Sequence, residues 1–117
     1  MRKRHPVSES SWDSPAMKSF FKAVLTLKTQ KEAHDFFRDV ATLAELQALA
    51  ERWWVAQLLN KGLPYRKISE ETGVSTTTVT RIAYWMDNGQ GGYTRALKRT
   101  GAPTSKKKTP RKRAAKR

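Results

Sequence analysis

Hydroxyl and cationic side chains are concentrated between residues 65 and 84. Hydroxyls donate and accept hydrogen bonds, and the cations donate to oxyanions. Groups of this kind bind phosphates and polar base edges, and they need neither a nucleophile nor a metal to do so. The candidate binding residues are Arg66, Lys67, Ser75, Thr76, Thr77, Thr78, Thr80, Arg81 and Tyr84.

Two short predicted helices and a tight turn position these residues. The first helix begins at Tyr65 and ends at Gly73, and Ser75 can cap the second from Thr76 onward. Gly73 permits a positive φ at the turn, and the small Ser69 lets the two helices approach closely. The inward apolar stripe of the second helix is Val79, Ile82, Ala83 and Met86. This is helix-turn-helix spacing, in which the N-terminal part of the second helix contacts base edges in a DNA major groove.

Three consecutive threonines open the predicted second helix, although β-branched residues are poor helix formers. Such local conflicts concentrate at functional sites. Hydroxyls at a helix N-terminus can donate to phosphate or contact a thymine methyl group, while the helix dipole attracts the phosphate. Two simpler interpretations stay open: the threonines only supplement the Ser75 cap, and Arg81 is a solvated charge or part of an intramolecular ion pair.

The positive charge lies mostly at the two ends of the chain. Among 117 residues, 24 Lys and Arg oppose 10 Asp and Glu, and the net charge of +14 points to a polyanionic partner. Residues 5–100 hold thirteen of the basic residues and all ten acids, so they carry only +3. We predict a flexible basic leader at 1–13 and one folded domain at 14–100. The tail at 101–117 lacks large apolar residues, and we predict that it is disordered and basic.

Composition excludes several classes of function. The chain has no cysteine, and His5 and His34 are too far apart to suggest a metal site. No apolar run approaches the roughly 18 residues that span a bilayer, so we expect a cytoplasmic, nucleoid-associated protein with no membrane partner. The acidic residues that could be imagined as acid/base pairs are Asp35, Asp39, Glu70 and Glu71. We interpret them as solvated helix-face charges and predict no catalytic residue and no enzymatic activity.

Three longer helices precede the helix-turn-helix, and a short one over 93–99 follows it. An N-cap and a proline start the first over 15–28, and capping-box patterns at 29–32 and 42–45 start the next two. The third extends over 43–60, and twelve of its eighteen residues are apolar. A helix that buries one stripe is not so apolar all round, and a chain of this size has little interior to surround it. We therefore predict an all-α homodimer in which a second copy covers part of this helix.

The segments 36–52, 73–81 and 88–93 together resemble the Trp-repressor superfamily, and within it the TrpR-related YerC/YecD group. The resemblance extends over roughly 15–100. It implies an intertwined homodimer in which the first three helices and the last are shared between chains, with a helix-turn-helix head at each end. The implied function is a transcription regulator, by its family a repressor, that binds double-stranded DNA through residues 65–86. A two-fold dimer would read a palindromic site with half-sites about one helical turn apart.

The resemblance also allows us to predict whether this protein binds tryptophan as a corepressor. In the tryptophan-binding members a threonine and two arginines surround the ligand, and these positions correspond here to Thr42, Arg52 and Arg81. A glycine and a serine beside the indole in those members correspond here to Ile82 and Trp85. Bulky side chains at both positions would occupy the volume that an indole needs. We therefore expect no small-molecule cofactor.

Two other functions stay open from the sequence. A sequence-indifferent nucleoid or RNA-binding protein would use the basic tail alone on any phosphate backbone. A protein-interaction module would keep the helix-turn-helix for assembly and have no DNA target, because a fold does not determine a function. Selectivity for one DNA sequence over random DNA distinguishes both alternatives from a regulator.

We predict that L-tryptophan does not bind the protein, because Ile82 and Trp85 take the volume of its indole. Isothermal titration calorimetry of the purified protein with L-tryptophan should give only the heat of dilution that glycine gives. Saturable binding in the micromolar range would overturn this expectation.

Overall fold

The computed structural model describes residues 9–101, which contain six α-helices and no β-strand. The helices are α1 (Pro15–Val24), α2 (Gln30–Val40), α3 (Leu43–Asn60), α4 (Tyr65–Thr72), α5 (Thr76–Asn88) and α6 (Gly92–Arg99). This confirms the predicted all-α class. A short 3-10 helix, Glu9–Asp13, occupies the end of the predicted leader. Residues 1–8 of that leader and residues 102–117 of the predicted tail lie outside the described residues.

Helix α1 begins where the sequence predicts and ends four residues early, at Val24 instead of residue 28. At its start, the side chain of Ser14 accepts the N–H of Met17 at 3.1 Å, and a proline occupies the first helical position. Just beyond its end, the hydroxyl of Thr26 donates to the carbonyl of Ala23 at 2.6 Å. A side-chain hydroxyl that takes a carbonyl of the last turn offers the backbone an alternative to continued helix.

The capping box predicted at the start of α2 is present in a shifted form. The hydroxyl of Thr29 accepts the N–H of Glu32 at 3.0 Å. The carboxylate of Glu32 accepts the N–H of Lys28 at 2.9 Å, one residue before the cap. Two backbone donors that the helix leaves without a partner are therefore satisfied by side chains.

Backbone contacts divide the chain into two compact units, Met1–Leu43 and Ala44–Arg117. In the first unit, aromatic rings join α1 to α2. The ring centroid of Phe20 lies 5.9 Å from that of Phe36 and 6.2 Å from that of Phe37, the second pair meeting edge to face. No side chain whose burial is described in this unit, over residues 10–43, is fully buried.

The second unit has a core to which its four helices contribute. The buried residues are Val55, Ala56, Leu58 and Leu59 of α3, Ile68 of α4, Val79, Ile82, Ala83 and Met86 of α5, and Leu97 of α6. Among them, Ile68, Val55 and Val79 are the largest side chains that solvent does not reach. The inward stripe predicted for α5 is confirmed, and α3 and α5 contribute four buried residues each.

Helix α3 has the predicted bounds, but its apolar residues are divided between interior and surface. All its buried residues lie within its last six positions, 55–60. Nearer its start, Leu43, Leu49 and Trp54 expose 78%, 49% and 50% of their surface. The apolar surplus visible in the sequence is therefore not buried within one chain.

The turn after α4 depends on one glycine. Gly73 has a φ of 85°, in the left-handed region, and its N–H donates to the carbonyl of Ser69 at 2.9 Å. This confirms the positive φ expected from the sequence. No atom lies within 4 Å of the place where a Cβ of Gly73 would stand. The backbone conformation, and not crowding, is therefore what requires glycine here.

We predict that Gly73→Ala lowers the free energy of unfolding by about 1–2 kcal/mol, the cost of a left-handed conformation for a residue with a Cβ. Urea unfolding followed by circular dichroism measures the change. Gly92→Ala is the matched control, because Gly92 also has open space around it and no positive φ. That variant should be neutral or more stable by up to about 1 kcal/mol. Equal destabilisation by both substitutions would show that the turn does not need its left-handed residue.

Candidate nucleic-acid interface

Two side chains of α4 hold the turn that leads into α5. The hydroxyl of Ser69 donates to the carbonyl of Val74 at 2.6 Å. The hydroxyl of Thr72 donates to the carbonyl of Ile68 at 2.8 Å and accepts the N–H of Val74 at 3.2 Å. Both backbone polar groups of Val74 are thus tied to α4. From the sequence we expected only that the small Ser69 lets the two helices approach closely. The role of Thr72 was missed, although a serine and a threonine three residues apart before a glycine could have indicated it.

Ser75 caps α5 and engages one of the three threonines that follow. Its hydroxyl accepts the N–H of Thr78 at 3.1 Å and lies 3.1 Å from the Thr78 hydroxyl, to which it donates. The hydroxyls of Thr76 and Thr77 form no hydrogen bond among residues 9–101. The capping interpretation therefore holds for Thr78 and not for the other two.

The face of α5 opposite the core is exposed along its length. Solvent reaches the side chains of Ser75, Thr76, Thr77, Thr80, Arg81 and Tyr84, and Thr78 is half-buried. This is the outward face that the sequence predicted. The hydroxyl of Thr80 donates to the carbonyl of Thr76 at 2.9 Å, so its hydrogen is already engaged. The hydroxyl oxygen can still accept a hydrogen bond.

Both α4 and α5 contain cationic residues. Arg66, Lys67 and Arg81 are all exposed. Lys67 lies 3.8 Å from the carboxylate of Glu71, one turn along α4, and solvent surrounds the pair. In the described part of the chain, neither Arg66 nor Arg81 forms an ion pair. The interpretation of Arg81 as part of an intramolecular ion pair therefore finds no support.

An aromatic pair continues the exposed surface toward the end of α5. The rings of Tyr84 and Trp85 meet edge to face at 5.2 Å, and about half of each side chain is exposed. The indole of Trp85 lies over Gly89, whose Cβ, if present, would be 3.6 Å from a ring carbon. Ile82, by contrast, is buried in the core. Of the two bulky residues expected to fill an indole-sized volume, only Ile82 is in the interior of this chain.

The three residues of the candidate effector pocket lie on different segments. Thr42, in the first unit, directly precedes α3, whereas Arg52 of α3 and Arg81 of α5 are in the second unit, and all three are exposed. Arg52 lies within electrostatic reach of Tyr93. Burial raises the pKa of the Tyr93 hydroxyl above its ordinary value, and the nearby Arg52 guanidinium partly offsets that rise.

The four carboxylates that could be imagined as acid/base pairs are all on the surface. Asp35, Asp39, Glu70 and Glu71 are exposed. Asp35 forms an i,i+4 ion pair with Lys31 at 2.9 Å in solvent. Over the described range, no group of three or more His, Asp or Glu side chains could hold a metal ion. In the same range no helix has the length and apolar character needed to cross a membrane.

Similar known proteins point to one family. The sequence profile of the family described as Trp repressor protein matches residues 15–101. The uncharacterized protein YerC of Bacillus subtilis is 42% identical over 79 residues, which cover 68% of this chain and 76% of that protein. A Trp operon repressor homolog of Chlamydia caviae is 32% identical over 75 residues, which cover 63% of this chain and 69% of the homolog.

Comparison of structures also finds a TrpR-like protein. The crystal structure of a TrpR-like protein from Eubacterium eligens superimposes with a TM-score of 0.75 at 38% identity. The superposition covers 80% of this chain and 96% of that one. The matched sequence range includes α4, the turn and α5. The chain therefore belongs to the Trp repressor family, and within it to the TrpR-related YerC group.

Proposed function

We propose that the chain is a sequence-specific transcription regulator, acting as a repressor, that binds double-stranded DNA as a homodimer through residues 65–86. Membership of a family of DNA-binding regulators supports the general assignment. One observation carries the assignment of sequence-specific binding. On the exposed face of α5, Thr76, Thr77 and Arg81 have side-chain hydrogen-bonding groups that no intramolecular partner takes within the described residues. Repression by covering a promoter is the mode that the family suggests.

The side chains of α5 differ in what they can offer to a base edge. Thr76 and Thr77 can donate or accept, which suits phosphate oxygens as well as bases. The hydroxyl of Thr80 already donates its hydrogen to the carbonyl of Thr76, so it can only accept a hydrogen bond from an adenine or cytosine amino group. The side chain can also contact a thymine methyl group. Arg81 can donate two parallel hydrogen bonds to guanine O6 and N7.

Helix α4 would position α5 on the duplex. Its exposed Arg66 and Lys67 suit contacts to the phosphate backbone, which fix orientation but carry no sequence information. The N-terminus of α5 adds the positive end of a helix dipole beside the same backbone. The hydrogen bonds from Ser69 and Thr72 keep the two helices in one relative orientation, so the contacts of α4 would determine where α5 lies.

The exposed apolar side chains of α3 support a second copy of the chain as the partner. Its first twelve positions contain apolar side chains that are substantially exposed in one chain, among them Leu49 and Trp54. The first unit likewise has no fully buried side chain among residues 10–43. An obligate homodimer interface resembles a protein core and would cover such surfaces. Two heads related by a two-fold axis would then read two half-sites about one helical turn apart.

No cofactor is part of this proposal. The arginines at the effector positions are exposed, and only Ile82 of the two bulky residues is packed in the core, so the expectation that tryptophan does not bind rests on Ile82. No enzymatic step is proposed either, since the exposed face of α5 offers hydrogen-bonding groups and no activated nucleophile. A DNA-binding regulator of this kind would act in the cytoplasm, at the nucleoid.

Arg81→Ala should reduce the preference for a selected duplex over random duplex by at least about 30-fold, because a bidentate contact to guanine discriminates by roughly 1–3 kcal/mol and the proposed dimer loses one such contact in each half-site. The duplex is obtained by selection from a random DNA pool. Fluorescence anisotropy at physiological salt, with random duplex as competitor, measures both affinities, and circular dichroism verifies the fold.

Lys67→Ala is the matched control for this experiment. It should weaken binding to both duplexes alike, since a phosphate contact does not depend on base sequence. A preference that survives Arg81→Ala would remove Arg81 from base readout. If the unaltered protein binds selected and random duplexes equally, the sequence-indifferent alternative driven by the basic tail is favoured instead.

Leu49→Glu should dissociate the dimer, because burying an unpaired carboxylate costs at least about 3 kcal/mol, or about 100-fold in the dissociation constant. Sedimentation velocity should give twice the chain mass of 13.4 kDa for the unaltered protein and a smaller value for the variant. Gln47→Glu, an exposed change two residues away on α3, adds the same charge and should leave the dimer intact. A monomeric unaltered protein would contradict the proposal.

A further inference from the structure

Helix α6 has one apolar side and one cationic side, and it contains no acidic residue. Leu97 is buried in the core, and Tyr93 packs against it. The α6 cationic face consists of Arg95, Lys98 and Arg99, all exposed. Throughout residues 9–101 no carboxylate forms an ion pair with any of the three. The charge of this face is therefore available to a partner.

Helix stability explains only part of this arrangement. Lys98 and Arg99 lie in the last turn, where cations interact favourably with the helix dipole. Arg95 lies at the middle of the helix, where the dipole gives no such gain, and its guanidinium is 3.7 Å from the place where a Cβ of Gly91 would stand. The like charges of Arg95 and Arg99 one turn apart repel each other. Local conflicts of this kind concentrate at functional sites.

The position of α6 is tied to the candidate reading helix. Only residues 89–91 separate α5 from α6. Leu97 belongs to the same buried cluster as Val79 and Ile82 of α5. Since core packing of this kind resists deformation, the α6 cationic face moves with α5 and not independently of it.

We propose that the α6 cationic face binds the phosphate backbone of the duplex outside the bases that α5 reads. The inference rests on the proposed function. Arg81 is the one cation on the exposed face of α5, so orientation of the head on DNA needs phosphate contacts from elsewhere. A duplex carries one negative charge per roughly 1.7 Å of its axis, and guanidinium groups match the geometry of phosphate oxygens. Charge complementarity thus favours DNA over an apolar or cationic partner.

The test is the salt dependence of DNA binding by the full chain carrying Arg95→Gln, Lys98→Gln and Arg99→Gln together. Affinity for the selected duplex and for a random duplex is measured across a series of salt concentrations. Each lost phosphate contact reduces the slope of log affinity against log salt by roughly 0.9, and both protomers of the proposed dimer lose three cations, so the slope should fall by roughly 4–5. The ratio of the two affinities should stay unchanged.

Two further variants make the result specific. Lys18→Gln, Lys22→Gln and Lys28→Gln remove three exposed charges that have no ion pair within the described residues, and should change the slope by less than about one unit. Arg95→Lys with Arg99→Lys keeps the charge of the face and should keep most of the slope.

Three outcomes would overturn the inference. The first is that the α6 variant retains the slope of the unaltered protein. The second is that the variant of Lys18, Lys22 and Lys28 loses as much slope as the α6 variant, which would show a general effect of net charge. The third is dissociation of the dimer by the α6 variant in sedimentation, which would assign the face to a second copy. Loss of the proposed function itself is distinguishable, because the unaltered protein would then bind the two duplexes equally while the slopes could still be compared.

Discussion

The burial of one face of α5 is the interaction on which the candidate interface depends. Val79 and Ile82 pack into a core that also includes Ile68 of α4 and Leu97 of α6. Because a helix can bury only one face in this way, the same packing leaves its threonines and Arg81 in solvent. Four apolar residues of α5 thus determine both the stability of the head and the direction in which its polar surface points.

Hydrogen bonds within the turn convert that packing into a defined orientation. Apolar contacts alone are non-directional, whereas the bonds from Ser69 and Thr72 take both polar groups of Val74. The same kind of bond also divides the hydroxyls of α5 into two groups. Thr80 has given its hydrogen to the backbone, while Thr77 keeps donor and acceptor. A surface that looks uniform in the sequence therefore has distinct hydrogen-bonding properties along its length.

Most of the positive charge lies away from the candidate interface on α5. The net charge of +14 falls to +3 over residues 5–100, and the exposed face of α5 contributes Arg81 alone. Contacts to phosphate raise affinity for any duplex, whereas base edges distinguish one sequence from another. Under the proposed function, a weakly charged α5 surface would let base contacts decide preference, and cations on α4, on α6 and at the chain ends would strengthen binding without altering that preference.

The sequence by itself determined the class of fold, the order of the helices and the outward face of α5. These follow from local signals, since caps such as Ser14, Thr29 and Ser75 and the 3.6-residue period need no distant partner. The early end of α1 was not predicted, and there the hydroxyl of Thr26 donates to the carbonyl of Ala23. Only the tertiary structure decided which hydroxyls are engaged and which apolar residues of α3 are buried. Both depend on the groups that folding brings within reach, and residues close in sequence, such as Trp54 and Val55, then have opposite environments.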